Sequence, residues 1–189
     1  MSEFKVELPL WLRILSIISG TIIIAFAIVA FINISLGFIE SALILGIAIL
    51  LVGVTRIIIG IFEKRQTKWF RIFNIIIGIL VLPIGIVSVI GLITDELILI
   101  DILALAILLL GIIGIVKGFE DKKKVFMYRL TIIIVGFILV GLSSAVLITD
   151  TILDAEALTY MLASGITVLG LKRLMEGILD YRIFKQPKA

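Results

Sequence analysis

The chain contains no histidine and no cysteine, and it has only three prolines and two tryptophans in 189 residues. Without histidine, a Ser/His/Asp nucleophile set and an HExxH zinc motif are both impossible. Without cysteine there is no thiol nucleophile, thiolate ligand or disulfide. Charge is also scarce, at 16% of residues against about a quarter in a soluble domain. A net charge of +3 spread over so few ionised groups gives no basic surface for nucleic acid, and the chain is far too apolar to be disordered. What is present in excess is aliphatic: 62% of residues are hydrophobic, 42 are isoleucine, and the mean hydropathy is +1.34. These values define an integral membrane protein.

A helix crossing the hydrocarbon core needs roughly 20 apolar residues. Residues 14–39, 72–94 and 130–149 are charge-free runs of about that length. Three shorter runs, 41–55, 102–116 and 157–171, each continue past one or two basic residues into another apolar turn. The basic residues are Arg56, Lys117 and the pair Lys172–Arg173. Long basic side chains near a helix end can lift their charge to the interface, so these spans are also expected to cross. The sequence therefore predicts an all-α, polytopic fold of six transmembrane helices near 10–34, 41–62, 69–93, 98–119, 127–148 and 158–180.

The charges sort by side. Segments 63–71 and 117–129, the two termini, and Arg56, Lys172 and Arg173 hold all 17 Lys and Arg residues. The opposite connections carry only Glu40, Asp95, Glu96, Asp101, Asp150, Asp154 and Glu156. The faces thus bear +10 and −7, which together give the +3 of the whole chain. Positive-inside bias predicts a multi-pass protein of the cell (inner) membrane with N- and C-termini cytoplasmic. The first apolar run is longer than a signal-peptide core and no A-x-A-like site follows it, so cleavage is not expected.

The sequence is also triplicated. The odd helices open on Trp11-Leu12-Arg13, Trp69-Phe70-Arg71 and Met127-Tyr128-Arg129, with the arginines 58 residues apart. Seven residues after each stands Gly20, Gly78 or Gly136, and seven further Ala27, Gly85 or Ser143. The even helices share G-x6-G-x2-[DE]-x-[RK], with Gly53 and Gly60, Gly111 and Gly118, and Gly170 and Gly177. The motif's acids are Glu63, Asp121 and Asp180. Within it, Arg56 and Arg173 occupy one site in the first and third copies, where the second has Gly114. We read one transmembrane domain, 1–189, built as three tandem α-hairpin repeats, 11–68, 69–126 and 127–185. Two spans per repeat make successive repeats enter from the same side, so they are expected around a pseudo-threefold axis along the membrane normal. The nine glycines form a small-residue stripe, which lets backbones approach closely in lipid, where hydrophobic drive between helices is absent.

Arg13, Arg71 and Arg129 stand at helix N-termini, where the macrodipole disfavours a cation, so stabilisation of their own helices does not explain them. Pairing with Glu63, Asp121 and Asp180 at the same membrane level would staple helix ends together; contact with lipid phosphates and control of topology is the other reading. Trp11, Trp69, Tyr128 and Tyr160 fit an interfacial aromatic belt. Pro83 is expected to kink the third helix. Asn74 and scattered Ser and Thr side chains are the buried polar groups, and no charge falls at the middle of any span, which disfavours coupled transport. The outer acids lack calcium-loop spacing. No catalytic, cofactor-binding or metal-binding residues are identified, no cofactor is expected, and the protein is expected not to be an enzyme.

Three hairpins that open on aromatic-x-Arg and run to Gly-x6-Gly resemble the HdeD-like acid-resistance membrane proteins, which carry tandem short repeats of a domain of unknown function. The resemblance spans Trp11 to about Arg182, and Gly114 departs from the basic site that Arg56 and Arg173 share. It implies six helices in the inner membrane and a link to stress or acid resistance, with no assigned site residues. The expectation is a non-enzymatic membrane protein of this type that supports the envelope under stress. The alternative is a structural or accessory subunit of a larger membrane complex. A passive channel along the axis is a third class, set against an axial stripe read as glycine and alanine. Expected partners are membrane lipids, with anionic headgroups at the cytoplasmic face, and other membrane subunits or a second copy of the chain; no nucleic acid is expected.

Overall fold

A computed structural model describes residues 10–33, 38–63, 68–90, 96–120, 126–149 and 152–183. They form six helices: α1 (Leu10–Asn33), α2 (Phe38–Phe62), α3 (Lys68–Ile90), α4 (Glu96–Glu120), α5 (Phe126–Thr149) and α6 (Ala155–Ile183). Each lies within a few residues of its expected span. Five, α1 to α5, are long and apolar enough to cross a membrane; α6, which holds Lys172, Arg173 and Glu176 within its length, is not one of the five. α3 continues as helix through Pro83, whose ring lies on the exposed side.

The odd and even helices occupy different places. In the apolar stretches of α2 and α4, 56% of residues are buried, against 33%, 33% and 28% in α1, α3 and α5. The exposed side of the odd helices is aliphatic and aromatic, as in Ile14, Ile18 and Ile22 of α1, Ile72, Ile76 and Ile79 of α3, and Ile134, Phe137 and Ile138 of α5. An apolar surface this continuous suits lipid and not water. The even helices supply most of the interior. Aligned at the repeat period, Leu45, Leu103 and Leu162 are all buried, as are Ile49, Ile107 and Ile166, and then Val52, Leu110 and Leu169. The centre is thus packed with branched aliphatics of matched size in each copy. The buried face of the even helices is mostly leucine and isoleucine, with alanine at 48, 104, 106 and 163.

The glycines line three seams between helices. A Cβ on Gly78 of α3 would come within 2.8 Å of the Gly53 carbonyl oxygen of α2. One on Gly136 of α5 would lie 2.9 Å from the Gly111 oxygen of α4, and one on Gly20 of α1 3.0 Å from the Gly170 oxygen of α6. Further along each seam, Gly60, Gly118 and Gly177 face the backbone oxygens of Arg71, Arg129 and Arg13 at 2.9, 3.1 and 3.1 Å. Only hydrogen fits where backbone meets backbone, which is why these positions are glycine. Each seam joins the even helix of one repeat to the odd helix that opens the next, and α6 meets α1 through the same contacts although no loop connects them. Gly141, in contrast, faces open space.

Several serine and threonine hydroxyls bond within their own helices. Ser143 donates to the Leu139 oxygen at 2.7 Å, Thr159 to Ala155 at 2.7 Å and Thr167 to Ala163 at 2.9 Å. Their donors are satisfied without reaching across to a neighbour, so these hydroxyls do not tie helices together.

Candidate functional site: a buried cationic cluster

The repeats differ at the ends of α2, α4 and α6 that lead into the basic segments. Position 56 is arginine, its equivalents Gly114 and Arg173; position 59 is isoleucine, its equivalents Lys117 and Glu176. These side chains turn inward. Arg56 is 6% exposed and Lys117 and Arg173 are each 9% exposed, so most of each side chain packs inside the bundle. α2, α4 and α6 contact one another here, and the side chains lie on the faces they share.

Glu176 is the hub of the cluster. Its Oε1 lies 3.6 Å from Lys117 Nζ and its Oε2 3.7 Å from Arg173 Nη1, one turn back on the same helix. Tyr128 of α5 donates its hydroxyl to Glu176 Oε1 at 3.1 Å. This tyrosine is therefore directed at the bundle and departs from the expected aromatic belt; Trp11, Trp69 and Tyr160 are exposed as expected. Trp11 also packs edge-on against Phe62, with ring centres 5.1 Å apart, joining the start of α1 to the end of α2. On the other side of the cluster, Arg56 Nη1 donates to Asn74 Oδ1 at 3.2 Å, and Asn74 Nδ2 donates to the Phe70 oxygen at 3.1 Å. Gly114 has its own reason here: a Cβ would lie 3.3 Å from Lys172 Nζ. The missing side chain of the second copy makes room for the ammonium supplied by the third.

Between these groups is a cavity of about 20 Å³, with Arg56, Asn74, Lys117, Lys172, Arg173 and Glu176 as its polar lining. Apolar side chains from α2, α4 and α6, among them Val52, Ile113 and Leu169, complete the wall. The space is sufficient for about one water molecule.

Two of the three repeated arginines serve a neighbour. Arg71 donates from Nε to the Gly60 oxygen at 3.1 Å and from Nη2 to the Ile61 oxygen at 2.7 Å. Arg129 repeats this with Gly118 at 2.9 Å and Phe119 at 3.0 Å. The acceptors are the last carbonyls of α2 and α4, which have no partner in their own helix. A cation that is unfavourable at its own N-terminus is favourable at the C-terminus of the antiparallel helix beside it. For Arg13, the comparable seam contact is its backbone oxygen against Gly177 of α6. Of the acids expected to pair with these arginines, Glu63 is buried at the end of α2. Asp121 lies outside the described residues, as does the side chain of Asp180.

Among the described residues no group of three acidic residues comes together as metal ligands would. Glu176 was not apparent as a site residue from the repeat, although its place three residues after Arg173, inside a helix, was a readable signal.

Helices of this length and apolarity, with the aliphatic surface turned outward, define a multi-pass, all-helical membrane protein. Comparison with protein-family models, with curated proteins and with solved structures gives no match.

Proposed function

We propose that the protein is a non-enzymatic, six-helix scaffold of the inner membrane, with three hairpin repeats around a pseudo-threefold axis and both termini in the cytoplasm. The observation that carries this reading is the set of three glycine seams built from equivalent residues, the last joining α6 to α1. Such closure commits the chain to a filled bundle, and the matched aliphatics at its centre support packing over a conduit. The sixth crossing, by α6, is supported because its charges face the interior, where they need not meet lipid. The sidedness rests on all 17 basic residues lying on one face.

The repeat motif aligns this scaffold with HdeD-like proteins, and through them with maintenance of the envelope under acid or other stress. Anionic lipid headgroups at the basic face are its natural partners. Survival of source cells lacking the protein, measured at low pH and under osmotic shock, is expected to fall and to be restored by the intact gene. Equal survival with and without the protein would refute the stress role. A partner that co-purifies in fixed stoichiometry after mild extraction would instead identify an accessory subunit. Orientation is tested separately with Gln66→Cys in this cysteine-free chain: an impermeant thiol reagent should fail to label it in intact cells.

A further inference from the structure

We infer that the cationic cluster at the ends of α2, α4 and α6 binds a single small anion of the halide class, chloride in a cell. The cavity lining brings together four cations, Arg56, Lys117, Lys172 and Arg173, and one carboxylate, Glu176. Cations held this close in a low-dielectric interior repel one another strongly, and burial removes the water that would otherwise screen them. Glu176 lies within ion-pair distance of Lys117 and Arg173.

A second observation points to an acceptor in the cavity itself. Arg56 is buried, its Nη1 is used by Asn74, and its Nε has no hydrogen-bond acceptor among the described residues. A buried N–H left without an acceptor is costly, the more so when the group is charged. An anion in the cavity that Arg56 and Lys172 both line would supply such an acceptor and offset the excess positive charge of the lining.

Size selects the class. About 20 Å³ is room for about one atom of the scale of a water oxygen, which favours a monatomic anion over a tetrahedral phosphate or sulfate. Gly114 lies beside Lys172, where a Cβ would come 3.3 Å from the ammonium nitrogen. Access is from the basic end, where the side chains of Lys117, Arg173 and Glu176 keep 10–14% exposure.

The test uses the full chain purified in a neutral detergent at constant ionic strength, with gluconate replacing chloride and no phosphate present. Added chloride or bromide should raise the melting temperature saturably, and gluconate should not. The chlorine-35 NMR line of free chloride should broaden with the protein present and sharpen again on adding bromide. Lys172→Gln and Arg56→Gln should each weaken the halide response about tenfold or more. If a variant fails to fold, the wild-type halide titration and its bromide competition still decide the matter. A flat response to chloride, or stabilisation by inorganic phosphate or phosphatidylglycerol but not by halide, would overturn the assignment.

Discussion

The inner helices are two different materials along their length. Toward the acidic loops the three copies agree at two buried positions: leucine at 45, 103 and 162, isoleucine at 49, 107 and 166. Toward the basic segments they diverge, with threonine, isoleucine and lysine at 55, 113 and 172, and isoleucine, lysine and glutamate at 59, 117 and 176. Where the only requirement is to fill space, three copies of one solution suffice. Where charge is buried, three identical copies would place like charges face to face, so the copies must become unlike. The cluster works as a unit because each repeat contributes a different member of it.

This contrast can be broken most directly at Glu176. Glu176→Ala removes the carboxylate shared by Lys117, Arg173 and Tyr128, and breaking a buried pair in this way costs about 3–5 kcal/mol. Thermal unfolding in detergent should show a larger loss than for any single change to the capping arginines, the seams or the aliphatic core. An unchanged melting temperature would mean that the cluster contributes nothing to the fold. Next in size is Arg129→Ala, which leaves the Gly118 and Phe119 carbonyls without their charged donor. A loss of about 1.5–3 kcal/mol is expected, and Arg129→Lys should recover little of it, since an ammonium cannot reproduce the two-pronged contact.

The seams set the third comparison. Gly136→Ala drives a methyl against the backbone of Gly111 and Ile115 and should cost about 1–3 kcal/mol. Gly141→Ala meets nothing and should raise stability by up to about 1 kcal/mol through helix propensity alone. Equal melting temperatures for the two variants would remove the close-packing account of the stripe. The smallest effects belong to the aliphatic half. Ile49→Val, Ile107→Val and Ile166→Val should each cost about 0.5–1.5 kcal/mol and should resemble one another. A wide spread among the three would show that the matched positions are not packed alike.

Much of the fold was legible because its signals are periodic. Runs of apolar residues placed the six helices to within a few residues, and the 58-residue spacing marked which glycines act together. Which helix each glycine faces was not legible: a stripe of small residues says that something approaches closely, but not what. The same holds for the arginines. Their own helix termini offered no reason for them, since the carbonyls they cap belong to a different repeat. The cationic cluster was the least visible feature. Arg56 and Lys172 each stand near the end of an apolar run, the pattern of interfacial residues, and only the packing of α2, α4 and α6 against one another brings both to one cavity. Gly114, a departure from the motif, has the Lys172 ammonium beside it, a neighbour from another repeat that the motif does not show.

The seam between α6 and α1 also sets an order of events during synthesis. Gly53 and Gly78 are 25 residues apart, as are Gly111 and Gly136, so their seams can close as soon as the second helix of each pair emerges. Gly20 must wait for Gly170, 150 residues later. At roughly 5–20 residues per second this delay is on the order of 8–30 s. Throughout that interval the glycine face of α1 lies open in the bilayer, and the helix shaped to cover it is α6. In a crowded membrane the α6 of a second nascent chain carries the same shape. Such an exchange would link two copies by a swapped terminal helix, with every seam formed and no new contact invented.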